Sequence, residues 1–112
     1  MNFYGLKTCD TCRKAQKELR AAGIVFDVKD VRADGVSAEK LKHWVSKIDW
    51  QKLLNTRSTT WRGLSDTDKA DITEAKAVAL MAAHPTLIKR PVIEHSDGLF
   101  VGWTPQTKEA LL

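Results

Sequence analysis

Apolar residues fall into short blocks along the chain, and their spacing predicts the elements in order. Asn2-Phe3-Tyr4-Gly5-Leu6 is a compact apolar run that predicts a strand, followed by a helix from Arg13 through Ala22. Around that helix Cys12, Ala15, Leu19 and Ala22 recur at three- and four-residue steps, which makes one stripe for burial. Gly23 supplies a C-terminal stop. Ile24, Phe26 and Val28 then alternate with Val25, Asp27 and Lys29, a strand expected to be covered mainly on one face. Strand, helix, strand with so short a crossover predicts two parallel strands.

Asp34-Gly35 ends this unit, and the middle of the chain turns helical. Ser37 can cap a helix in which Leu41, Trp44, Val45 and Ile48 share a face. Trp50, Leu53 and Leu54 add a shorter apolar piece, and Asn55 to Thr60 is a polar tract expected to be a loop. Ser65 to Asp68 matches a capping box. Asp71 to Glu74 predicts a second, with Asp71 as cap of a helix burying Ile72, Ala75, Ala79 and Leu80. Pro85 closes the stretch. Pro91 to Glu94 and Leu99 to Gly102 flank a Ser96-Asp97-Gly98 turn, a β-hairpin signal. Thr104-Pro105 opens a last helix to Leu111. The order is βαβ, a helical insert at about 35–86, then ββα. That order predicts an α/β chain with a mixed sheet of about four strands and a thioredoxin-like layout.

With 112 residues, the chain is expected to form one domain, residues 1–112. A hydrophobic share of 43% beside 29% charged residues argues against disorder. The formal charge of +4 is spread along the chain, which suits anionic small molecules or an acidic protein surface rather than direct contact with nucleic acid. The residues after Met1 reach Lys7 and Asp10 without an apolar run of signal length. The longest apolar run, Ala77 to Ala83, is too short to span a bilayer. A cytosolic protein with no membrane partner is expected, and its thiols then read as catalytic or regulatory.

Those thiols are the two cysteines of Cys9-Asp10-Thr11-Cys12, at the junction of the first strand and helix. A disulfide between them would close almost no loop, so a purely structural bridge gains little. The unpaired N–H groups of a first helical turn and the positive end of the helix dipole stabilise a thiolate, the reactive form. Cys9 is the candidate nucleophile, and Cys12 the candidate resolving thiol or a small buried residue. Asp10 is expected to oppose the thiolate, and Lys7, Arg13 and the dipole to favour it. Arg57, in the polar tract, and Arg90, before Pro91, offer the planar fork that holds oxyanions, although each also fits a solvated surface position. Zinc would need ligands beyond the two cysteines, and His43, His84 and His95 lack finger-like spacing, so no metal is expected. Trp44, Trp50, Trp61 and Trp103 read as core anchors, with Trp61 and Trp103 also placed to line a cleft.

Several blocks together carry a family resemblance. They are Tyr4 to Ala15 with its two cysteines, Leu54-Asn55-Thr56-Arg57-Ser58, His84-Pro85, Leu87-Ile88-Lys89-Arg90-Pro91-Val92-Ile93 and Val101-Gly102-Trp103. In this order they resemble the arsenate reductase/Spx family, and most of all its small bacterial YffB-type proteins. The resemblance implies a thioredoxin fold with a helical insertion and a thiol oxidoreductase. Cys9 would then be its catalytic cysteine, Arg57 and Arg90 its anion-binding arginines, and Pro91 its cis-proline. It also implies glutathione as co-substrate, with Lys7, Thr11 and Pro91 as its binding residues, and no bound cofactor. The substrate would be an anionic small molecule or a disulfide. The chain departs from the glutathione-coupled reductases at Gly5-Leu6-Lys7-Thr8, where they carry a histidine and an Asn-Pro pair, and at Gly102-Trp103, where they carry a further arginine. Cys12 matches a cysteine of Spx. The alternative function is therefore a redox-sensing transcriptional regulator that binds RNA polymerase through a Cys9–Cys12 switch.

Overall fold

The computed structural model describes residues 1–96 and 98–112, so Asp97 of the expected hairpin turn lies outside the described residues. Two compact units are present. The first combines Met1–Asp34 with Arg90–Leu112, and the second is Gly35–Lys89.

The first unit opens with strand β1 (Asn2–Gly5) and helix α1 (Asp10–Ala21). Cys9 is the N-cap of α1, so the helix starts three residues before the expected Arg13. Its end is a Schellman motif: Gly23, at φ 76°, donates to Arg20 O, and Ile24 donates to Leu19 O. Strand β2 (Asp27–Asp30) lies parallel to β1, with Phe3 opposite Val28. Helix α2 (Val31–Asp34) follows at once. It is unexpected from periodicity because one turn is too short to show any. Asp30 Oδ1 starts it by accepting the N–H groups of Arg32 and Ala33 at 2.8 and 2.9 Å.

The second unit is helical: α3 (Ala38–Lys47), α4 (Trp50–Leu53), α5 (Thr59–Arg62), α6 (Asp66–Lys69) and α7 (Glu74–Ala83), then a single 3-10 turn, Pro85–Leu87. Ser37 and Ser65 cap α3 and α6 as their positions predict. Ser58 caps α5, which occupies the end of the tract expected to be loop. At α7 the cap is Thr73, whose hydroxyl accepts from Lys76 N, and not Asp71, which sits at φ 52°. That offset turns the helix. Ala77, Val78, Leu80 and Met81 are buried, whereas Ala75 and Ala79 are exposed and Ile72 is only half-buried. Helices α3 and α7 pack together, with Leu41, Trp44 and Met81 fully buried. An antiparallel bridge from Leu54 to Ile88 ties the polar loop to the unit's last residues.

The chain returns to the first unit for β3 (Val92–His95), β4 (Gly98–Val101) and α8 (Pro105–Leu111). The strand order is β2-β1-β3-β4, antiparallel at the last two junctions. This is the thioredoxin-like arrangement. Phe3, Ile93 and Phe100 stand in register across the sheet. Phe3 and Ile93 are buried with Cys12, Ala15 and Leu19 of α1. The stripe expected on α1 therefore holds except at Ala22, which is exposed beyond the last turn. Val28 is exposed too (47%), because β2 is an edge strand and its face is only partly covered, while Val25, which precedes β2, lies on the alternate face and is 90% exposed.

Candidate active site

Cys9 owes its position to the turn between β1 and α1, where its N–H donates to Leu6 O at 3.1 Å. As N-cap it holds a sulfur where a serine or aspartate oxygen normally accepts the free N–H groups of the first turn. Cys12, three residues on, is fully buried, while Cys9 is half-buried. Gly5 makes the close fit possible. A Cβ there would lie 2.9 Å from Phe3 Cε1 and 3.0 Å from Cys12 Sγ.

The two thiols differ sharply in acidity. Burial pushes the Cys9 thiol up, but the backbone N–H of Cys12, the Cys12 thiol and the Arg90 guanidinium outweigh it and bring Cys9 below its ordinary value. Cys12 goes the other way, up to about 12. Burial is the main cause, and the negative charge on Cys9 adds to it; a backbone hydrogen bond from Leu6 and the charge of Arg90 only partly compensate. Of the pair, Cys9 is therefore the thiol that ionises first, and Cys12 the one that keeps its proton.

Arg90 is the cation that does this. It precedes Pro91 through a cis peptide bond, and its half-buried guanidinium hydrogen-bonds Cys9. The residues expected to supply positive charge, Lys7 and Arg13, are engaged elsewhere. Arg13 pairs with Asp10 at 2.6 Å on the exposed side of α1. Lys7 acts on Asp30, which is held below its usual range by the N–H groups of Ala33 and Arg32 and then by Lys7. Pro91 is buried, and its carbonyl accepts from Gly102 N at 2.8 Å, which fixes the start of the segment leading to Trp103. The Trp103 indole N–H donates to Glu18 of α1, and its ring packs on the core cluster that holds Cys12. Nothing in the spacing of Glu18 and Trp103 marks this pairing beforehand.

Cys9, Cys12 and Arg90 therefore come together within the first unit, and Thr11 lies exposed one position before Cys12. Arg57 belongs to the second unit, where it is exposed in the 55–58 turn; its N–H donates to Asn55 Oδ1 at 3.0 Å and its carbonyl accepts from Arg62. Among the described residues no group of three or more His, Cys, Asp or Glu is placed to hold a metal ion. Among them, too, no helix is long and apolar enough to cross a membrane.

A family model described as the ArsC family matches residues 4–111. An uncharacterized protein of Haemophilus influenzae is 36% identical over 110 residues, covering 98% of this chain and 96% of its own length. The global transcriptional regulator Spx 2 of Lactococcus lactis is 25% identical over 114 residues, covering 100% of this chain and 86% of its own. Among solved structures, the protein titled YFFB superposes with a TM-score of 0.93 at 41% identity, covering 99% of this chain and 97% of that one.

Proposed function

The chain belongs to the ArsC family, and from that we propose that it is a cytosolic thiol oxidoreductase in which Cys9 is the nucleophile and glutathione the electron donor. One observation carries the reading: a half-buried Cys9 at a helix N-cap, kept acidic by the Cys12 N–H and thiol and by Arg90. With a disulfide substrate, the Cys9 thiolate bonds to one sulfur, the substrate S–S bond breaks, and the departing thiolate takes a proton from solvent. Cys9 then carries no charge, so the repulsion that added to the effect of burial on Cys12 is gone, while the charge of Arg90 still favours its ionisation. Cys12 loses its proton, its sulfur attacks Cys9 Sγ, and the second substrate thiolate leaves. The cysteine pair has lost two electrons and the substrate has gained them. Two glutathione molecules restore the pair and leave as glutathione disulfide. An oxyanion would enter by the same sulfur, its central atom bonding to Cys9 Sγ as one oxygen, protonated from solvent, departs as water. Arg90, and Arg57 by family likeness, would hold such an anion through the guanidinium fork. Lys7, Thr11 and Pro91 would receive glutathione.

Glutathione-dependent reduction of a mixed disulfide tests this. Cys9→Ser is expected to abolish turnover, and Cys12→Ser to keep part of it, since glutathione can resolve the adduct in place of Cys12. Full activity in Cys9→Ser would overturn the reading. A regulatory role is the second reading, favoured by the buried Cys12 against Cys9 and by the likeness to Spx 2. RNA polymerase captured by the oxidised chain and not by the reduced one is its expected signature; capture in neither state removes it.

A further inference from the structure

The first unit contains a second recess that the cysteine chemistry does not use. It is a cleft of about 420 Å³ at the carboxyl ends of the parallel strands β1 and β2, beside α1 and α2. Crevices at the carboxyl ends of parallel strands are recurrent ligand sites, and this volume is enough for a small molecule. Among the described residues neither Cys9 nor Arg90 lines it.

The lining has a clear chemical bias. Leu6 and Val28 give it an apolar base, and Val28 is nearly half exposed (47%) there. Gly5 contributes only backbone to the wall, the position of its missing side chain being turned toward Phe3 and Cys12. Gln16 and Arg20 enter from α1 one turn apart, and Lys7 from the loop after β1. The two carboxylates present are already engaged by the chain itself. Asp30 accepts two N–H groups of α2, and Asp34 Oδ2 accepts the N–H of Asp30 at 3.2 Å. Arg20 lies over the Phe26 ring at 5.4 Å, a contact that positions the guanidinium and uses none of its five N–H donors. What the cleft offers a ligand is therefore a positioned cation, an amide and an apolar base.

We propose that this cleft binds a small organic anion: a carboxylate or phosphate head on Arg20 and Gln16, with an apolar body over Leu6 and Val28. Arg20 lies outside the proposed glutathione site, so it separates the two.

The test is a ¹H–¹⁵N chemical-shift titration of the full chain with phenyl phosphate and with benzoate. Inorganic phosphate serves as a head without a body, and benzyl alcohol as a body without a head. Saturable shifts of the Leu6, Lys7, Val28 and Asp34 amides are expected with an organic anion, and weaker ones with either control. A response to phenyl phosphate alone assigns the head as phosphate, and a response to benzoate alone as carboxylate. Arg20→Gln is expected to weaken binding about tenfold, the loss of one charge-assisted hydrogen bond, while Arg20→Lys recovers part of it. Cys9→Ser is expected to bind as the parent does, so loss of thiol chemistry leaves this inference standing. The proposal is overturned by an equal response to inorganic phosphate, by unchanged affinity in Arg20→Gln, by glutathione displacing the probe, or by no saturable shift up to about 10 mM probe.

Discussion

Cys9 and Cys12 are the same side chain three positions apart, and their acidities diverge because their surroundings do. The Cys9 sulfur meets the helix start and the Arg90 guanidinium, both of which favour charge; the Cys12 sulfur is buried beside that charge, which disfavours a second one. The expected outcome is selective alkylation by iodoacetamide. The rate at Cys9 rises with pH as its thiol ionises and levels off below the ordinary thiol value of 9.0, while Cys12 stays unreacted until the solution approaches its own value of about 12. Arg90→Gln removes a hydrogen bond and a positive charge, so the Cys9 profile must shift toward higher pH. Mass spectrometry of alkylated peptides across pH checks both. A profile unmoved in Arg90→Gln would show that the helix start alone sustains the thiolate. That Cys9 lies at a helix start was legible in the sequence, but the partner of its charge was not. Lys7 and Arg13 are its neighbours in the chain, yet each meets an aspartate instead, and Arg90 arrives from the far end of the sequence.

A chemical start signal made some elements readable but was not enough for one-turn helices such as α2 and α5, which Asp30 and Ser58 start. Ser37, Ser65 and Thr104 all cap the helices that follow them, because a side-chain oxygen that meets a free N–H is a local event. Helices α2 and α5 escaped notice since four residues cannot display a 3.6-residue period. Helix α7 was found but rotated. Asp71 and Thr73 both resemble caps, and only the packing of Ala77 and Met81 decides between them. Strand β1 depends on a feature of similar scale. Gly5 has Phe3 and Cys12 so close that Gly5→Ala must displace the sulfur or the ring. A loss of about 1–3 kcal/mol is expected, typical of an overfilled core, measured by urea unfolding of the reduced protein. The Cys9 alkylation profile should change with it, because Leu6 links that strand end to both cysteines.

At the scale of the molecule, a sheet-bearing unit made from both ends of the chain is interrupted by a helical unit from its middle. Cys9 and Arg90 belong to the first unit, and Arg57, proposed as an anion-binding residue by family likeness alone, belongs to the second. Arg57→Lys and Arg90→Lys are therefore each expected to weaken protection of Cys9 by an oxyanion such as sulfate, roughly tenfold for a lost bidentate contact. Competition between sulfate and iodoacetamide reads this directly. Should Arg57→Lys leave protection intact while Arg90→Lys abolishes it, the anion is held by the first unit alone.

By itself the sequence determined what short-range physics can determine: the strand and helix order, the parallel first pair, most caps and the placing of Cys9 at a helix start. These follow from periodicity and from donors within a few residues of their acceptors. Tertiary structure alone decided which cation faces the thiolate, which cysteine keeps its proton, how Trp103 is tied to Glu18, and that a basic cleft forms behind Gly5. Each of these joins residues brought together only by sheet pairing and burial, and burial also sets the energy of a charge. No local pattern in the chain encodes that.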